Sequence, residues 1–241
     1  CMCSAAAVYT TNKVKGAPIA VTKAHIADGK AQAVICNSGN ANTCAPGGVE
    51  VAEETCRLAA KALDMKPEDI AVCSTGVIGE KLKLEPFEKG IPVLAQALSY
   101  DGSDDAAAAI MTTDTIPKSV AVEFTIDGKK CTIGGIAKGS GMINPNMATM
   151  LSFITSDVNI SPAMLQKALS SDIKTSFNQI CVDGDTSTND TVIIMANAMA
   201  QNRLIDSEGE AFDIFCEALS KVTVYLSKKM ARDGEGATKL I

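Results

Sequence analysis

The sequence predicts an α/β (α plus β) protein in which several antiparallel strand pairs are covered by helices. Three observations predict it. Short apolar runs with strand-like alternation take turns with longer segments whose apolar residues recur every 3.6 residues. Asp-Gly pairs at 28–29 and 127–128 mark tight turns between such runs. No low-complexity linker or internal repeat separates the elements, so the pattern reads as packed layers.

In chain order, residues 18–26 and 31–36 read as strands around Asp28-Gly29. The single histidine, His25, falls in the first of them and reads as a half-buried or surface strand residue. Residues 47–64 read as a helix, with Ala52, Cys56, Ala59 and Leu63 along one face. A short apolar strand, 70–73, leads into the loop Ser74-Thr75-Gly76. Pro86 suits the first turn of a helix, and Ser103 suits the cap of a short one through Met111. Ser119–Ile126 and Cys131–Ile136 flank Asp127-Gly128 as a hairpin. Residues 150–155 read as a buried strand, Ser161-Pro162 opens a helix to about residue 178, and 191–199 return as a strand. A long helix over roughly 207–231 carries Phe212, Phe215, Leu219, Val222 and Leu226 inward. The run Ala237–Ile241 reads as the start of a further strand, and the chain is expected to be an excerpt of a longer protein.

Composition limits the function. The chain carries 22 Lys+Arg against 28 Asp+Glu, a net charge of −6, which argues against a general binder of nucleic-acid backbones. With 46% apolar residues, 4% aromatics and no Trp, the core must be built from Ala, Val, Ile, Leu and Met. No apolar run approaches the ~20 residues of a membrane-spanning helix. Nine dispersed cysteines without a C-x-x-C pair read as small core residues in a reducing compartment, so cytoplasmic is the expected location. A metal is not expected, since one histidine cannot build a histidine cage and Cys1–Cys3 is the only close cysteine pair.

Two motif matches fail on their own terms. Lys138 precedes Gly139, the wrong order for a phosphate loop. Asp183–Ser187 opens like a calcium loop but has Thr188 and Ile194 where Gly and Glu are required.

The run Lys138-Gly-Ser-Gly-Met-Ile-Asn-Pro-Asn-Met-Ala148-Thr149-Met-Leu151 is the unusual stretch. Gly, Pro and Asn interruptions precede a small residue, a hydroxyl residue and an apolar strand. Such a loop suits a chain break, in which Thr149 Oγ attacks the Ala148 carbonyl and hydrolysis frees Thr149 as a new terminus. The freed α-amine, with a reference pKa of about 7.7–8.0, would serve as a base beside its own hydroxyl. Such a nucleophile needs no histidine.

This run resembles the signature of the ornithine acetyltransferase (glutamate N-acetyltransferase) family, a group of bifunctional arginine-biosynthesis proteins. Four further segments match it in order: Asn37–Asn42, Ser74–Gly79, Met111–Thr115 and Asp233–Thr238. The resemblance implies Thr149 as the acetyl-carrying nucleophile exposed by cleavage after Ala148, and Thr75 and Gly76 as oxyanion donors. It implies Thr112, Lys138, Thr149 and Glu235 as substrate contacts. Lys138 is expected among glycines with backbone and water close by, as a carboxylate contact and not a base. Taken singly, Thr75-Gly76 could be a turn, Thr112 a helix-end residue, and Lys138 and Glu235 solvated charges.

The implied fold is a layered α-β-β-α-like sandwich resembling N-terminal-nucleophile enzymes, made as a self-cleaving precursor. Residues 1–148 would form the α-chain part and 149–241 the start of the β-chain, two of each assembling as a heterotetramer. The implied activity moves an acetyl group from N2-acetylornithine to glutamate, with acetyl-CoA as a possible second donor. The resemblance implies no organic cofactor either. Rival readings are a same-fold Thr-nucleophile aminopeptidase or amidohydrolase, and a non-cleaving amino-acid-binding protein.

Overall fold

The computed structural model describes residues 1–141 and 150–238. Its strands are β1 (Cys3–Tyr9), β2 (Lys30–Ala31), β3 (Ala33–Asn40), β4 (Ile70–Val77), β5 (Lys118–Ile126), β6 (Lys129–Lys138), β7 (Leu151–Ser156) and β8 (Thr191–Ala196). The helices are α1 (Ala17–His25), α2 (Gly48–Leu63), α3 (Glu85–Gln96), α4 (Ser103–Ala109), α5 (Pro162–Asp172) and α6 (Glu210–Arg232). Six strands form one sheet in the order β2-β1-β8-β7-β6-β5, and β3 and β4 form a parallel pair of their own.

Strand alternation builds the layers. Successive side chains of a strand point to opposite faces, so each buried strand feeds two cores. In β1, Ala6 joins the core under α5 and α6, whereas Ala5 and Ala7 face the β3–β4 pair. In β8, Val192 and Ile194 go to the first core and Ile193 to the second. In β4, Ala71 and Cys73 share that second core, while Ile70 and Val72 enter a third with α1 and α2 residues such as Val21, Ala52 and Cys56. Helices, large sheet, small sheet and helices therefore stack in four layers. The expected α-β-β-α sandwich is what the chain forms.

Most elements lie where the sequence puts them, and the differences have physical causes. Residues 18–26 are not a strand. They form α1, with Pro18 in its first turn and Pro18, Ile19, Val21 and Thr22 buried. The β-branched run imitates a strand, but Thr22 uses its hydroxyl to serve one: Oγ1 donates to the Val72 carbonyl at 2.7 Å and accepts the Val72 amide at 2.8 Å. Tertiary context overrides a weak propensity. His25 is thus a helical residue, half-buried as expected, with Nδ1 at 2.8 Å from the Ile70 carbonyl oxygen.

The expected strand at 31–36 is divided between two sheets. Cys3 pairs with Ala31, and Ala33 pairs with Ile70, so the chain changes layer at Gln32. Gly102, not Ser103, holds the cap position of α4, and Ser103 is its first helical residue. The helix opened by Ser161 stops at Asp172 and continues as two 3₁₀ turns, because the Ser176 hydroxyl turns back onto the Asp172 carbonyl at 3.0 Å. Of the strand expected at the end of the chain, Ala237 and Thr238 are irregular and 239–241 lie outside the described residues.

Candidate active site

Four chain segments carry the candidate residues. The first is the end of the small sheet, where Asn37–Gly39 of β3 runs parallel to Ser74–Gly76 of β4. Gly76 has φ +126°, and a Cβ there would sit 2.2 Å from the Gly39 carbonyl carbon. Only glycine fits this approach. Thr75 beside it is 3% exposed. Its cross-strand partner Ser38 donates to the Ala109 carbonyl at 2.8 Å, tying the small sheet to the end of α4.

The second segment, Thr112–Lys118, follows α4 and is built on buried charge. Lys118 donates to Asp114 at 2.7 Å and to Asp233 at 2.5 Å, and all three side chains are almost sealed from solvent. Asp114 also accepts the Gly139 amide at 2.6 Å and the Thr112 amide at 3.2 Å. Burial works against the Asp114 carboxylate, but the Gly139 amide and the Lys118 ammonium outweigh it and hold its pKa below the ordinary value.

Lys138, the last residue of β6, contributes the third segment. It is 2% exposed, donates to Thr112 Oγ1 at 2.7 Å and lies 3.8 Å from Asp114. Burial pulls its pKa down, against the opposing pull of Asp114. Its side chain is therefore not in the hydrated glycine-lined setting expected from sequence. The glycines that follow leave room for other groups: Gly139 offers its amide to Asp114, and a Cβ on Gly141 would lie 2.7 Å from the Glu235 carboxyl.

Asp233–Glu235, after α6, is the fourth segment. Asp233 receives the amide and hydroxyl of Thr115. The Glu235 amide donates to the Ser140 carbonyl at 2.6 Å, and Ser140 shares a 2.7 Å hydrogen bond with Thr113. Glu235 is exposed, and its charge reaches Lys138. Thr112, Lys138 and Glu235 are thus brought together, with Thr112 and Glu235 open to solvent at the rim and Lys138 beneath them.

Thr149 and Ala148 lie outside the described residues. Met150, the next residue, is described: its amide donates to Asp190 at 2.9 Å, and its carbonyl accepts the Thr191 amide at 3.2 Å. Asp190 is fully buried, and its second oxygen has no hydrogen-bond partner among the described residues. Burial raises its pKa to about 7 against the opposing Met150 amide. Neighbouring Asn189 donates to the Ser74 and Ala41 carbonyls at 2.9 and 2.6 Å, which ties the start of β8 to the end of β4.

Sequence reasoning missed Asp114, Lys118, Asp233 and Asp190. The four-residue spacing of Asp114 and Lys118 was visible, but outside a helix such spacing carries no expectation of a pair. Nothing local in the sequence announces that either residue is buried.

Comparison with known proteins gives these residues a context. The ArgJ family model matches residues 1–241. An arginine biosynthesis bifunctional protein ArgJ of Caldanaerobacter subterraneus subsp. tengcongensis is 51% identical over 236 residues, covering 98% of this chain. The chain spans 59% of that relative's length. Among solved structures, an ArgJ of Bacillus halodurans superposes with a TM-score of 0.57 and 43% identity, covering 61% of this chain and 78% of that one. An ornithine acetyltransferase of Mycobacterium tuberculosis, complexed with ornithine, gives 0.55 and 37%, covering 60% and 77%. With its full length matched and half its residues shared with such a relative, the chain belongs to the ArgJ family.

Proposed function

We propose that the protein transfers an acetyl group from N2-acetylornithine to glutamate through an acetyl-Thr149 intermediate, giving ornithine and N-acetylglutamate. The observation that carries this reading is the meeting of Thr112, Lys138 and Glu235 at the ends of β6 and α6 in a chain of the ArgJ family. An acetylated α-amino acid offers a carboxylate, which Lys138 can receive, and N2-acetylornithine adds a cationic side-chain amine, which suits Glu235.

The chemistry proceeds in two balanced steps. Thr149 Oγ attacks the acetyl carbonyl while its own α-amine takes the hydroxyl proton. The amide C–N bond then breaks, and the α-amine returns that proton to the departing ornithine nitrogen. Glutamate's free α-amine next attacks the ester carbonyl, and Thr149 Oγ leaves with the proton that the incoming nitrogen gives up. Thr75 and the Gly76 amide supply donors where the oxyanion develops. Thr75 is buried and Gly76 brings backbone unusually close to β3, which suits a fixed donor site.

In this reading the chain is cut between Ala148 and Thr149, so 1–148 and 149–241 belong to separate polypeptides that assemble two and two. Acetyl-CoA would act as a second donor, and the enzyme would work in the cytoplasm. The nine dispersed cysteines without a C-x-x-C pair support a reducing location. No helix among the described residues is long and apolar enough to cross a membrane.

Intact mass of the full chain under denaturing conditions tests the central claim. The wild type should appear as two polypeptides, the second beginning at Thr149 and carrying an acetyl group after brief exposure to N2-acetylornithine. Thr149→Ala should stay whole and lose transfer. An uncut wild type with full activity would sink the proposal, and faster acyl loss to water than to glutamate would make the protein a hydrolase.

A further inference from the structure

We propose that Asp114 is a positioning residue for the substrate site: it is the counter-ion of Lys138 and the anchor that ties the Thr112 loop to the end of β6. The geometry is specific. One Asp114 oxygen accepts the Gly139 amide at 2.6 Å and faces the Lys118 ammonium at 2.7 Å. The other accepts the Thr112 amide at 3.2 Å and lies 3.8 Å from Lys138 Nζ. A single carboxylate thus touches the residue after Lys138, the residue that receives a Lys138 proton, and Lys138 itself.

The division of labour between the two lysines follows from the distances. Lys118 is saturated: Asp114, Asp233 and the Ile116 carbonyl surround its ammonium at 2.7, 2.5 and 3.3 Å. Lys138 is not, among the described residues. There it donates one hydrogen bond, to Thr112, and Asp114 stands too far for a tight one. Asp114 therefore balances Lys138 without occupying it, and the remaining donors can serve an arriving carboxylate.

An ammonium buried to this degree tends to lose its proton, and a neutral amine would hold a carboxylate poorly. The charged and titratable groups around Lys138 come from five segments. Asp114 from the loop, Glu235 after α6 and Cys36 of β3 favour its charged form, whereas Lys118 of β5 opposes it. Asp190, before β8, also feels its field. Cys36 is itself pushed to about 12 by burial and is a neutral thiol at working pH, and Glu235 is exposed to solvent. Burial raises Asp190 to about 7, whereas Asp114 is held below its ordinary value, which leaves Asp114 as the close, buried anion among the described residues.

The test reads Lys138 directly. In the full chain with isotope-labelled lysine, the Lys138 ammonium is followed by NMR against pH, its resonance assigned by its loss in Lys138→Met. Asp114→Asn keeps an oxygen for the Gly139 amide and removes the charge. It should move the Lys138 titration down by about a unit. KM for N2-acetylornithine and glutamate should then begin to rise at correspondingly lower pH, reaching about tenfold above wild type on the alkaline side. Asp114→Ser is a smaller uncharged variant and should move the same titration down, which keeps the test intact if Asp114→Asn does not fold. A Lys138 titration that stays in place in the folded variants overturns the proposal. The kinetic arm alone rests on Lys138 meeting a substrate carboxylate. A shifted titration with unchanged KM keeps Asp114 as counter-ion and removes that role from Lys138.

Discussion

Thr75 and Lys138 are both nearly sealed from solvent, yet their burial serves different ends. The proposed function makes Thr75 an oxyanion donor, which works through a fixed position, and its strand pairing with Ser38 supplies one. Thr75→Ala should therefore slow single-turnover acetylation of Thr149 by roughly 10²–10³-fold, with little change in KM, because the ground-state carbonyl carries less charge. A variant altered only in KM would make Thr75 a ground-state contact instead. In the proposed function Lys138 works through charge. Lys138→Met should raise KM for N2-acetylornithine and glutamate together, since both carry an α-carboxylate, and should affect self-cleavage less than transfer. Burial lowers its pKa against the pull of Asp114, so the experiment also asks whether it moves protons. Intact KM values with abolished acetylation would assign Lys138 to proton transfer.

At the scale of elements, the short parallel pair β3–β4 is the part that most needs its neighbours. Two parallel strands alone are marginal, and α1 is one of the elements that give β4 a partner on its other side. Thr22 meets the Val72 amide and carbonyl with one hydroxyl, and it is fully buried. Thr22→Val keeps the shape and leaves both backbone groups unpaired, so unfolding free energy should fall by about 1–3 kcal/mol in chemical denaturation. No loss of stability would mean that the clamp is redundant. This contact also explains where the sequence misleads. Ile19, Val21 and Thr22 look like strand residues because they are β-branched, and only the strand they cover reveals them as the inner face of a helix. The hairpin at Asp127-Gly128 and the long helix α6 were legible because turn chemistry and 3.6-residue periodicity are local signals. Thr112, Lys138 and Glu235 became candidates through motif resemblance. The charges that hold them, Asp114, Lys118 and Asp233, form pairs across up to 115 residues of sequence, which no local pattern reports.

Across the whole molecule, the buried carboxylates set an opposing pair of pH dependences. Asp114 and Asp233 have lowered pKa values, each held down by Lys118 and backbone or hydroxyl donors despite burial. Their contribution to stability is present above the unfolded carboxylate range and is lost as acid protonates them in the fold. Asp190 runs the other way. Its folded pKa is raised to about 7, whereas an unfolded Asp titrates near ~3.9. Between those values the native state holds a proton that the unfolded chain has released. Stability therefore falls as pH rises from about 4 to about 7, and levels off above. Asp190→Asn should remove that decline while leaving an oxygen for the Met150 amide. Measured by urea unfolding, the variant should gain on the wild type between pH 5 and pH 8, with the Asp114 and Asp233 terms common to both. An equal difference at the two pH values would show that Asp190 ionises in the fold as it does in the unfolded chain.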